Sequence, residues 1–252
     1  MKELYSFNVK RSVSVEKTEE KDGKKIIETV KEEVPVTVVI KSPTRSERND
    51  VQHFHQTVYS KALKEGILTR AMIKKAYLEN GGLFSKDQEE ERQSLLKKYE
   101  ELRSLVQFEE ASALEAKTKK EKALHDEAAT AAFKEFMAVH RQLQNFTTEE
   151  EDIYVFSAEN LARDKTIEWL ICNLTFLKEG ESYDSPFVGK TIEEKNDNYE
   201  LLLEGEEGAF YSELFEKASA VVSLWYLGRA SNKEDFDGIF ETLYGVDEQP
   251  SK

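Results

Sequence analysis

The chain has 252 residues, 39% hydrophobic and 34% charged, with 14 Phe, 10 Tyr, 2 Trp and a net charge of −14. That length holds one extended domain or two smaller ones, and the aromatic content argues against a chain disordered throughout. No run approaches the roughly 20 apolar residues that cross a bilayer, and Met1-Lys2-Glu3-Leu4-Tyr5 lacks the apolar core of a secretory signal, so an intracellular, soluble protein is expected.

The only cysteine, Cys172, sits among Leu170, Ile171 and Leu174 and is expected to be a buried, inert thiol; the sequons at Asn145 and Asn173 then carry no meaning. The charge is unevenly placed. Residues 148–252 hold 25 acidic against 9 basic side chains, whereas the rest of the chain is close to balance. Such a field repels nucleic-acid phosphates and suits either a solvated acidic surface or a basic protein partner.

Along residues 4–15, Tyr5, Phe7, Val9, Val13 and Val15 alternate with polar residues, which predicts a strand with one buried face, broken on that face by Arg11. A charged stretch around the turn pair Asp22-Gly23 leads to a second β-rich run over 26–40, with Ile27, Val30, Val34, Val36, Val38 and Val39. Pro35 cannot donate to a ladder, so it places this strand at an edge or a bulge. An N-terminal β-hairpin follows over 1–41.

From there the period becomes helical. Thr44 with Glu47 forms a capping box opening a helix to about Lys64, with Val51, Phe54, Val58 and Ala62 on its buried face. Thr69 caps a shorter helix ended by Gly81-Gly82, which completes a helical hairpin over 42–84. Ser85 with Gln88 opens some sixty residues free of Gly and Pro, in which Leu95, Tyr99, Leu102 and Val106, then Leu124, Ala128 and Ala131, then Phe136, Val139 and Leu143 keep coiled-coil-like steps. One stalk helix and two antiparallel helices both fit. The capping box Thr118-Lys119-Lys120-Glu121 favours the tip of an antiparallel hairpin within 85–147. The remainder, 148–252, reads as an acidic all-helical domain: a helix over about 158–177 with Trp169, a loop over 178–190, a helix capped by Thr191 with Glu194, a helix over 209–227 with Trp225-Tyr226, and a last one capped by Ser231 with Glu234.

No catalytic, cofactor-binding or metal-ligating residue is expected. His53 and His55, two apart on a helix, point to different sides and cannot form an i, i+4 zinc pair; His125 and His140 lack partners at ligand spacing. The run Glu149-Glu150-Glu151-Asp152 is a solvated charged run, and no phosphate loop, dinucleotide fingerprint or nucleophile elbow is present. An enzyme would need a pocket collecting several of Asp152, Asp164, Glu168, His140 and Tyr183. The basic clusters Lys74-Lys75, Lys97-Lys98 and Lys117-Thr118-Lys119-Lys120 are each balanced by nearby acids and lack interleaved aromatics, which disfavours nucleic-acid binding. Contacts are expected instead at an edge strand with Val34, Val36 and Val38, at the basic hairpin tip with Lys119 and Lys120, and at the loop aromatics Tyr183 and Phe187.

The stretch Tyr59-Ser60-Lys61-Ala62-Leu63-Lys64-Glu65-Gly66-Ile67-Leu68-Thr69-Arg70-Ala71-Met72, followed by Tyr77-Leu78-Glu79-Asn80-Gly81-Gly82, resembles small helical proteins of tailed-bacteriophage structural gene clusters. Asn160-Leu161-Ala162-Arg163-Asp164-Lys165-Thr166-Ile167-Glu168-Trp169-Leu170 and Trp225-Tyr226 add to that resemblance, which covers about half the chain and leaves out the opening hairpin. It implies a non-enzymatic structural or assembly protein, either a neck or tail subunit or a temporary tail assembly chaperone, located in the host cytoplasm during assembly or in the virion. Its partners would be other virion or assembly proteins or further copies of itself, with no cofactor, nucleic acid or membrane. The competing expectation is a soluble acidic helical adaptor that occupies a basic site on a partner protein.

Overall fold

The computed structural model describes residues 2–21 and 24–245. The Asp22-Gly23 turn lies outside the described residues, as do the side chains of residues 15–30, Val15, Ile27 and Val30 among them. The fold is mainly helical with one small antiparallel sheet, and the chain divides into two compact units, Met1–Ser60 with Ala162–Lys252 and Lys61–Leu161.

In the first unit, β1 (Glu3–Lys21) and β2 (Lys24–Lys41) form the expected hairpin, paired continuously from Tyr5↔Ile40 to Lys21↔Lys24. Tyr5, Phe7 and Val9 on β1 and Val38 and Ile40 on β2 share one face and are buried. Against them pack Leu170 and Leu174 of α5 (Ala158–Leu174), Phe210, Leu214, Ala218 and Val222 of α7 (Gly208–Tyr226), and Phe236 and Phe240 of α8 (Lys233–Tyr244). Tyr5 touches the rings of Phe236 and Phe240, with centroids 5.0 and 5.1 Å away, and its hydroxyl donates to Asp237 Oδ1 at 3.0 Å. The break in the apolar face at Arg11 has a partner: its guanidinium donates twice to Glu207, at 2.7 and 2.8 Å, and lies over Phe210. The β-hairpin is thus no independent domain ending at residue 41, because its buried face is half of a core completed by residues after 162.

Two further strands correct the all-helical reading of 148–252. The helix expected to reach residue 177 ends at Leu174, and β3 (Thr175–Glu179) pairs antiparallel with β2 while β4 (Ser182–Asp184) pairs with β3 through the turn at Gly180. The cause is non-local. The outer backbone groups of Thr37–Ile40 need partners in a buried setting, and the apolar run Thr175-Phe176-Leu177 supplies them in extended form. Sheet order is β1-β2-β3-β4. Before α7, α6 (Ile192–Glu204) is capped by Thr191 as expected, while Tyr199 stacks on Phe215 at 4.5 Å to hold α6 on α7. The cap of α8 falls one residue later than Ser231: Asn232 accepts from Asp235 N, and Asp235 answers the amides of Ser231 and Asn232. Asn caps as well as Ser does.

The chain passes between the units within α1 (Arg45–Lys64), opened by the Thr44–Glu47 capping box, and again within α5. The second unit holds α2 (Arg70–Glu79), capped by Thr69, and two long helices, α3 (Lys86–Glu115) and α4 (Lys119–Asp152). The hairpin reading of 85–147 holds. Capping boxes at Ser85 and Thr118 open α3 and α4, and the cross-contacts Tyr99 with Phe136, Lys98 with Glu135 and Glu109 with His125 run antiparallel. The more buried positions recur in steps of three and four, through Leu95, Tyr99, Leu102 and Val106 on α3 and His125, Ala129, Ala132, Phe136, Val139 and Leu143 on α4. The expected seam on early α4 is one residue out of phase: Leu124 is exposed and His125 is turned inward.

Candidate functional site

The edge-strand surface is only partly open. Val38 is fully buried, and Thr37–Ile40 are covered by β3, so β2 is an inner strand there. Val34 is exposed and Val36 packs against the core rim, both beyond the reach of β3, and Pro35 lies between them, opposite Lys10 of β1. Outward of that point β1 and β2 continue as a two-stranded ribbon, with no third strand beside them among the described residues. Its twelve further pairs, from Lys10↔Pro35 to Lys21↔Lys24, correspond to about 40 Å of extended chain. Backbone groups on both ribbon edges can pair with a strand from another chain.

The second surface is the α3–α4 hairpin. Its seam is narrow, and large apolar side chains point away from it: Phe108 is 63% exposed, Leu114 84%, Leu124 67% and Phe133 50%. Asp126, Ala129, Thr130 and Phe133 with Glu110 form a shallow groove beside the seam. Near the tip, Lys117, Lys119, Lys120 and Lys122 are exposed, and none takes part in an ion pair among the described residues. Thr118 and Glu121 there are committed to the cap of α4. Tyr183 and Phe187 separate: Phe187 is buried against Tyr199 and Phe215, and Tyr183 is partly exposed on β4. Phe187 is therefore core and leaves the contact surface, because α6 and α7 supply an aromatic pocket whose distance in sequence hides it.

Sequence reasoning did not find the groove at the base of the hairpin. Tyr77, Leu78, Leu83, Phe84, Ile153 and Tyr154 line about 390 Å³, rimmed by Lys74, Lys86, Arg92, Glu89 and Glu150. Phe84 meets Phe146 edge to face at 5.3 Å, and Arg92 lies over Phe84 while binding Glu89 through two nitrogens, at 3.0 and 3.1 Å. That pairing pulls the Glu89 carboxyl below its ordinary range. Arg70 stands over Tyr154 and donates to Glu151. The available signal was Leu83-Phe84, an apolar pair directly after the helix-ending Gly81-Gly82, both of which adopt positive φ.

A polar cluster joins α5 to α6. Lys195 Nζ donates to the carbonyl of Cys172 at 3.1 Å and to Asn173 Oδ1 at 2.8 Å, and burial lowers its pKa. Asn196 donates to Glu168, which also takes Lys165 at 2.7 Å. This is a cap on the last turn of α5, where carbonyls lack helical partners. No hydrogen bond or ion pair among the described residues joins any two of Asp152, Asp164, Glu168, His140 and Tyr183; His140 stacks on Phe136, and Asp164 pairs with Arg163. His55 bonds Thr166 and His125 bonds Glu109.

Comparison with protein-family models, curated proteins and solved structures finds no match to this chain. No helix among the described residues is long and apolar enough to cross a membrane.

Proposed function

We propose that this chain is a non-enzymatic structural or assembly protein that works through contacts with other proteins and, on the resemblance given above, serves a tailed bacteriophage as a neck or tail subunit or as a tail assembly chaperone. The observation that carries this reading is the α3–α4 hairpin, which spends a narrow coiled-coil-like seam on itself and turns Phe108, Leu114, Leu124 and Phe133 outward. Single exposed apolar residues are ordinary, but four large ones on a hairpin with so narrow a seam leave apolar surface that a partner can cover. The β1–β2 ribbon supports the same reading, since a two-stranded ribbon is marginal alone and gains by pairing with a neighbour.

The test is genetic and compositional. A null allele should stop tail or neck formation in electron micrographs. Mass spectrometry of purified particles then separates the two roles, because a subunit stays in them and a chaperone does not. Normal particles from the null allele, with the chain absent from wild-type particles, would overturn the reading.

A further inference from the structure

The residues around the hairpin tip and those along the outer side of α6 are complementary in two respects. Between Leu114 and Leu124 stand four lysines against two glutamates, one of which, Glu121, is held by the cap of α4. Leu114 and Leu124 themselves are among the most exposed leucines of the chain. On α6, Glu193, Asp197, Glu200 and Glu204 follow steps of four, three and four, which places them on one side of the helix with Leu201 beside them. All four acids are exposed and none is in an ion pair among the described residues; Leu201 is 68% exposed. The opposite side of α6 is already used, with Tyr199 against Phe187 and Phe215. One surface is thus basic around exposed leucines, and the other is acidic around an exposed leucine.

We infer that the α3–α4 tip of one copy docks on the outer side of α6 of a second copy, with Leu114 and Leu124 covering Leu201 and Lys117, Lys119, Lys120 and Lys122 facing Glu193, Asp197, Glu200 and Glu204. The inference deepens the assembly reading and rests on it for its biological use, but the contact itself is a property of the purified chain. Because the two surfaces differ, the contact is heterologous, and each copy carries both a tip and a receiving helix. A helical tip on a single helix covers well under the roughly 800 Å² per partner of a stable interface, so one contact is weak. Its charges are solvent-exposed, and screening shortens their reach from about 10 Å at 0.1 M salt to about 3 Å at 1 M.

Sedimentation velocity of the full chain tests this across a concentration series at low and high salt. The expected result is a weight-average mass that rises with concentration at low salt and drops at high salt to the share held by strand pairing of the β1–β2 ribbon, which salt does not screen. The double variant Lys119→Glu/Lys120→Glu and the double variant Glu200→Lys/Glu204→Lys should each weaken association at least tenfold, and mixing the two should restore it, because reversed tips then meet reversed helices. Circular dichroism and thermal melting of both variants, unchanged from the parent, exclude misfolding as the cause. A parent chain that stays monomeric at low salt, reversal variants that associate as the parent does, or a mixture that fails to recover would each overturn the contact. None of these outcomes bears on the null-allele test, so failure of the contact and failure of the assembly reading are distinguishable.

Discussion

Cys172 is fully buried on α5, and burial, with Glu168 adding to it, pushes its thiol pKa up to about 12. A thiol raised above its unfolded value of about 8.5 contributes stability that is whole below that pH and drains away as pH climbs toward the folded value. On the order of 2 kcal/mol should be lost between pH 8 and pH 10 by this route. Tyr5, raised by burial and by its bond to Asp237, adds a loss of the same sign at higher pH. Urea unfolding at the two pH values measures the first effect, and Cys172→Ala should flatten it. Equal losses in the parent and in Cys172→Ala would show that the thiol is not the source. The same burial makes the folded chain resistant to thiol reagents at pH 8, so the inert cysteine was legible in its apolar neighbours, whereas the Lys195 cap on the Cys172 carbonyl was not, since it comes from 23 residues away.

At the scale of elements, what could be read from the sequence was local chemistry. The caps at Thr44, Thr69, Ser85, Thr118 and Thr191 are pairs or single residues whose partners lie three positions on, and each opens the helix it predicted. The seam of α3 followed from its steps of three and four, but on early α4 a run rich in alanine gave the period no weight, and Leu124 drew the phase one residue early. β3 was missed because Leu174-Thr175-Phe176-Leu177 continues an apolar helix pattern, and what unwinds it is β2, some 137 residues earlier in the pairing Val39↔Phe176. That rearrangement leaves a trace: the hydroxyl of Thr175, the first residue of β3, is buried without a hydrogen-bond partner among the described residues. An unsatisfied buried hydroxyl costs roughly 1–3 kcal/mol, and valine has nearly the same shape and suits a strand. Thr175→Val should therefore stabilise the first unit by about 1 kcal/mol, seen as a melting transition a few degrees higher. A lower transition would mean that the hydroxyl has a partner, such as a bound water.

On the scale of the molecule, the long β-hairpin has two parts that truncation can separate. Its first part is structural: Tyr5, Phe7, Val9, Val38 and Ile40 fill the core of the first unit, and losing aromatic residues of this kind costs about 3–5 kcal/mol each against a total stability of about 5–15 kcal/mol. Deleting residues 1–40 should simply unfold that unit. Beyond Arg11 and Val34 no described side chain of the ribbon belongs to the core, and Ser14 lies opposite Lys31 in the register, so a two-residue Asn-Gly turn can join them in place of residues 15–30. The shortened chain should melt within a few degrees of the parent. At about 0.5 M salt exposed charge contacts are largely screened, whereas strand addition by the ribbon, as the assembly reading proposes, would persist through backbone hydrogen bonds. Light scattering there should find multimers in the parent and a monomer in the shortened chain. Multimers that survive the shortening would move self-assembly from the ribbon to the apolar sides of α3–α4, where Phe108→Ser and Phe133→Ser are the substitutions that should then break it.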